Sequence, residues 1–276
     1  MEPKKSFKIV PPKNPRVLLP NIFTLVGVCI GLTSIKFAFD GRFEMAVIAI
    51  IVAGIIDGLD GRIARLIGGA SKVGKELDSL TDVISFGVAP AFIMYFFVIK
   101  DLGRVGWLIS LIYVVCVALR LARFNISSNA EASWRDNFFE GVPSPAGGIL
   151  VLIPLIYSFS EIQFINLNYN LFVPILFLII SVLLISKIPT YSLKKIVVKR
   201  STTIFLLFSI VLFFGLLLIF TFSTILITAL IYLLIIPISS MHYLSLKKKF
   251  STQFDDSDDH EDILLSLIHI SEPTRH

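Results

Sequence analysis

Four aspartates, Asp57, Asp60, Asp78 and Asp82, fall in one stretch, IIDGLDGRIARLIGGASKVGKELDSLTDVISFGVAP, running from Ile55 to Pro90. Each costs roughly 2.5–3.5 kcal/mol near the centre of a membrane helix on insertion scales, and less near an interface. On a helix, residues three or four apart share a face, so Asp57 with Asp60 and Asp78 with Asp82 form two carboxylate pairs. Four like charges at close range repel strongly, which leaves two solutions: some are protonated, or divalent cations sit among them. Carboxylate oxygens without nearby His or Cys favour a hard ion, Mg²⁺ or Mn²⁺, over zinc. Around the aspartates, Gly58 and Gly61 remove side chains from the first pair's helix, and Arg62, Arg65, Lys72 and Lys75 supply positive charge suited to phosphate oxygens. Glycines that pack helices closely and arginines that anchor at the interface would give the same letters at Gly68, Gly69 or Arg62. They would not account for four aspartates among apolar residues.

The elements that must carry these groups are apolar. Of 276 residues 55% are hydrophobic and the mean hydropathy is +0.84, above the apolar share of about 45–50% usual in soluble domains. Stretches such as 204–222 and 172–185 contain no charge. Runs of about 20 apolar residues cross a bilayer. They predict an all-α bundle of about eight spans near 17–39, 44–66, 77–99, 104–123, 145–160, 171–186, 203–222 and 224–244. The net charge of +5 is spread in short clusters between these runs, a pattern that suits a membrane surface and excludes a nucleic-acid stripe. Cys29 and Cys116 lie at unrelated spacing inside apolar runs and read as small core hydrophobes.

Lys and Arg collect in alternate connections: the arm 1–16, then Arg62 to Lys75, Arg120 to Arg135, Lys187 to Arg200 and Lys247 to Lys249. Short loops rich in these residues stay in the cytoplasm, so both termini and all four aspartates are expected on that side. The organisation that follows is a polar arm over 1–16, an embedded domain over 17–250 and a tail over 251–276. Six acidic residues from Asp255 to Asp262 make the tail a disordered composition. Its last stretch, Leu264 to His276, has the character of a translated adapter and carries no functional argument.

Asp57, two residues, Asp60-Gly61, two residues, Ala64-Arg65, eight residues, Gly74, three residues, Asp78, three residues, Asp82 resembles the CDP-alcohol phosphatidyltransferase signature at every one of its positions. The resemblance implies that Asp57, Asp60 and Asp78 hold divalent metals, two ions, with help from Asp82, and that Asp82 is the base that deprotonates an acceptor alcohol. It also implies that Asn21, Thr24, Asp57, Gly61, Arg65, Gly74 and Lys75 contact the CDP moiety, and that the molecule is a homodimer.

Outside the signature, Glu76 to Leu80, Ser85 to Pro90, Arg120-Leu121-Ala122-Arg123-Phe124-Asn125 and Gly141-Val142-Pro143-Ser144-Pro145 are similar to the branch of bacterial membrane-embedded phosphatidylserine synthases. That likeness covers about residues 15–150. It implies CDP-diacylglycerol as donor, L-serine as acceptor and the bacterial cytoplasmic membrane as location. Serine brings a carboxylate and an ammonium, for which Arg120 and Arg123 with Asn125 are candidate partners; as interfacial anchors the two arginines would look the same. Glycerol 3-phosphate would also use arginines, which keeps phosphatidylglycerophosphate synthesis as the alternative. An ion-coupled transporter would place carboxylates at the midplane of inverted repeats, and no such repeat is visible.

Overall fold

The computed structural model describes residues 18–66, 72–127, 138–163, 167–191 and 203–243. Helix α1 (Leu18–Phe39) carries no charge apart from Lys36. It ends in a tight turn at Gly41, whose φ of +77° is open to glycine at no steric cost, and the chain returns as α2 (Phe43–Leu66). A long rod follows. It begins as the polar α3 (Lys72–Asp82), passes through one π-helical turn at Val83–Val88 and continues as the apolar α4 (Ala89–Phe97). A 3₁₀ turn at Ile99–Leu102 leads into α5 (Gly103–Ser127). Then come α6 (Ser144–Val151), α7 (Ile153–Phe159), α8 (Tyr169–Ile185), α9 (Thr203–Ile219) and α10 (Thr221–Tyr243).

Among the described residues, four helical stretches are long and apolar enough to cross a membrane: Pro20–Phe39, Val73–Phe97, Ile99–Ile126 and Thr221–Tyr243. The chain thus has the all-α architecture of a multi-pass membrane protein. α8 and α9 are as apolar but have 17 residues each. α2 has 24 residues, and Asp57, Asp60, Arg62 and Arg65 crowd its C-terminal half. The segment expected as a span over 145–160 is built of two helices of 8 and 7 residues meeting at Leu152. Pro154, two residues past the break, has no N–H to give a continuous helix. α9 has no buried residue.

The core is built around the π-turn, where Ser85, Phe86 and Gly87 are buried. α1, α2, α5 and α6 all pack on it. Small residues let backbones approach, the usual basis of helix packing in lipid. A Cβ at Gly31 would lie 2.6 Å from Ser85 Oγ, and one at Gly148 would lie 3.2 Å from the Phe86 backbone. The fully buried Tyr113 of α5 donates its hydroxyl to the Phe86 carbonyl at 2.8 Å, so a backbone group inside the widened turn has a partner.

One element is not helical. β1 (Phe138–Glu140) pairs antiparallel with β2 (Pro189–Tyr191), matching Phe138 with Tyr191 and Glu140 with Pro189. Just beyond β1, the Gly141 N–H donates to the Ile188 carbonyl at 2.9 Å and Thr190 Oγ1 donates to the Gly141 carbonyl at 2.8 Å. Gly141 has φ +75°, and three carbonyl oxygens of residues 183–186 crowd the place of a Cβ. The ribbon therefore pins the start of α6 against the end of α8.

Candidate active site

The four aspartates converge where α2 leaves and α3 enters the bundle. Their i, i+3 and i, i+4 spacing aims each pair along one helix face. Oxygens of Asp57, Asp60 and Asp78 all lie within 4.8 Å of one another. Asp82 stands outside this trio, with its carboxyl group beside that of Asp57. Residues 67–71, which carry Gly68 and Gly69 between the two helices, lie outside the described residues.

Asp60 is 3% exposed. Its Oδ2 accepts from Thr24 Oγ1 at 2.8 Å, while its Oδ1 is buried with no hydrogen-bond partner among the described residues. Thr24 also lies 2.9 Å from the Pro20 carbonyl, so one hydroxyl proton is shared between two acceptors. Thr24, assigned by resemblance to the nucleotide, is thus engaged with Asp60. An orphaned buried carboxylate oxygen beside two further carboxylates is a poor arrangement by itself. It becomes a sound one around a hard divalent cation, which takes several oxygen ligands. The acidic cluster can hold a metal ion.

The other predicted positions surround this centre. Asn21 is one helical turn before Thr24, and Gly74 and Lys75 begin α3 one turn before Asp78. Arg65 belongs to α2, but its side chain lies outside the described residues, as does that of Lys72. An added Cβ at Gly58 or Gly61 would meet no atom of another element within 4 Å among the described residues. Helix packing therefore does not explain either glycine, whereas it does explain Gly31 and Gly148.

Of the three residues read as acceptor contacts, two are engaged elsewhere. Arg123 Nη1 donates to the Ile185 carbonyl at the end of α8 at 2.6 Å, and Asn125 Nδ2 donates to Ser79 Oγ at 2.9 Å. Arg120, 8% exposed, points inward: its Nη1 donates to Ser144 Oγ at 2.9 Å, and Ser144 Oγ donates to Asp82 Oδ2 at 2.7 Å. In the sequence Ser144 is marked only by its place in Gly141-Val142-Pro143-Ser144-Pro145. It is separated from Asp82 by 62 residues, and no local spacing announces the contact. Gly27 and Gly31, not singled out in the sequence analysis, have the four-residue spacing of a helix-packing motif, G-V-C-I-G.

A family model, CDP-alcohol phosphatidyltransferase, matches residues 17–185, which include every site residue named above. A Helicobacter pylori CDP-diacylglycerol–serine O-phosphatidyltransferase is 40% identical over 196 residues, covering 71% of this chain and 80% of the relative. The enzyme of the same description from Mycobacterium leprae is 44% identical over 137 residues, 49% of this chain and 45% of that one. Among solved structures, Mycobacterium tuberculosis phosphatidylinositol phosphate synthase with CDP-DAG bound aligns at a TM-score of 0.46 and 19% identity, over 62% of this chain and 85% of the other.

Proposed function

We propose, because the chain belongs to the CDP-alcohol phosphatidyltransferase family, that it transfers the phosphatidyl group of CDP-diacylglycerol to L-serine, giving phosphatidylserine and CMP. The observation that carries this reading is the convergence of Asp57, Asp60 and Asp78 with Asp82 at their flank. One set of carboxylates is arranged to hold cations and a further one stands beside it to take a proton. The relatives described as serine transferases support the choice of acceptor.

In the reaction, the serine hydroxyl oxygen bonds to the β-phosphorus of the donor while the bond from that phosphorus to the CMP oxygen breaks. Asp82 receives the hydroxyl proton as general base. Asp57, Asp60 and Asp78 would hold Mg²⁺ or Mn²⁺, two ions by the family resemblance, which supply positive charge against the pyrophosphate. Gly61 and Gly58 leave room for the cytidine and its phosphates against the backbone of α2. Arg65, Gly74, Lys75, Asn21 and Thr24 complete the donor site, and Arg120 serves the serine carboxylate. The embedded domain spans 17–250 with eight membrane crossings. Both termini and the site face the cytoplasm, where serine and cytidine nucleotides are found, and the enzyme works as a homodimer in the bacterial inner membrane.

The test is CMP release by the purified chain with CDP-diacylglycerol and serine, glycerol 3-phosphate or inositol offered separately, with Asp82→Asn alongside. Serine-dependent release is expected, lost with a chelator, restored by Mg²⁺ or Mn²⁺, and reduced by about 10²–10⁴-fold in the variant. Turnover only with another alcohol would keep the family and replace the acceptor.

A further inference from the structure

Ser144 is fully buried at the first turn of α6, tied to α5 and to α3 by one oxygen. A guanidinium is always protonated and can only donate. Towards Arg120 the Ser144 oxygen must therefore accept, and its single proton is left for Asp82. The direction of both hydrogen bonds follows from chemistry. Asp82 Oδ2 is thereby occupied, while Asp82 Oδ1 is buried with no hydrogen-bond partner among the described residues. On Arg120, Nη1 is occupied by Ser144, while Nε is buried and has no such partner either. Orphaned groups of this kind are costly and rare in native proteins. Here they form a complementary pair among the described residues: a carboxylate oxygen that lacks a donor and a guanidinium N–H that lacks an acceptor. A molecule carrying a hydroxyl and a carboxylate a few bonds apart satisfies both sides.

We propose that Ser144 is a positioning residue for the transfer reaction. By bridging Arg120 to Asp82 it turns Asp82 Oδ1 towards the acceptor hydroxyl and holds Arg120 Nε for the acceptor carboxylate, so the base and the specificity contact move as one unit. The proposal rests on the reading of the acceptor as a hydroxy amino acid. It adds a residue outside the signature and makes α6, clamped by the ribbon at Gly141, part of the acceptor site.

The experiment compares wild type, Ser144→Ala and Ser144→Thr in CMP release from CDP-diacylglycerol, with L-serine or with ethanolamine, which keeps the hydroxyl and amine and lacks the carboxylate. In Ser144→Ala, kcat with serine is expected to fall by about 10–100-fold, as when a supporting partner of a functional ligand is removed. The preference for serine over ethanolamine narrows, while the KM for CDP-diacylglycerol stays within about twofold, the signature of a loss confined to one substrate. Ser144→Thr, which restores a hydroxyl, is expected to recover most of the rate and the preference. Wild-type kinetics in Ser144→Ala would overturn the proposal. So would an equal loss on both substrates with a lowered melting temperature in Ser144→Ala and Ser144→Thr alike, because that pattern marks a purely structural residue. Failure of wild type itself to use serine would instead strike the acceptor reading and remove the carboxylate contact with it.

Discussion

At the scale of single residues, the site divides its glycines into two kinds. Among the described residues, Gly61 has no neighbour from another element within 4 Å of an added Cβ, whereas Gly31 meets the Ser85 side chain and backbone at 2.6 and 3.1 Å. The first is open to a bound molecule and the second to another helix. Gly61→Ala is therefore expected to melt at the wild-type temperature while the KM for CDP-diacylglycerol rises about tenfold, equivalent to about 1.4 kcal/mol of lost binding. Thermal melting and initial rates on the same preparation check both halves. The four aspartates and Arg65 were readable from sequence because charge among apolar residues has to be explained. Ser144 was not, because a serine beside a proline at the start of a helix is ordinary there and its partners are far away in the chain.

At the scale of elements, close helix contact replaces the hydrophobic effect that would hold a bundle together in water. Gly31→Ala should push α1 away from the π-turn and destabilise the detergent-purified protein by about 1–3 kcal/mol, the usual cost of overpacking. Denaturation followed by helical signal measures it, and an unchanged midpoint would mean that α1 can slide. Most helices were legible: the runs over 17–39 and 171–186 agree with α1 and α8 to within two residues. The two-stranded ribbon was invisible, since three-residue strands in connecting segments have no period to detect. The division into α6 and α7 has a signal in Pro154, which is not used in the sequence analysis because it sits in an otherwise unbroken apolar run. Nothing in the letters V-I-S-F-G-V distinguishes a π-turn from an α-helical one.

At the scale of the whole molecule, the alternation of basic clusters predicts a site on the cytoplasmic face. A reporter that fluoresces only in the cytoplasm, fused after residue 250, should be bright, and the same reporter inserted near Glu161 should be dark. The reverse pattern would turn the molecule over and separate its site from soluble serine. Orientation can be read from composition because charges near the interface decide it; the number of crossings depends on tertiary packing around α2, α6 and α7, which hydropathy does not report. The rod from Val73 to Phe97 has a further property, best put in terms of phase. Its π-turn sits directly after Asp82, between the half that bears chemistry and the half embedded in the core. An α-helix advances about 100° per residue, and a π-turn carries surplus residue count within one coil. Deleting one residue from 83–88 would remove that surplus and leave the two halves in phase, whereas inserting one residue between Asp82 and Val83 would rotate Asp78 and Asp82 by about 100° relative to α4. The expected product of the insertion is a protein that still enters the membrane and retains its helical content yet releases no CMP, a frame error written in angle instead of in codons.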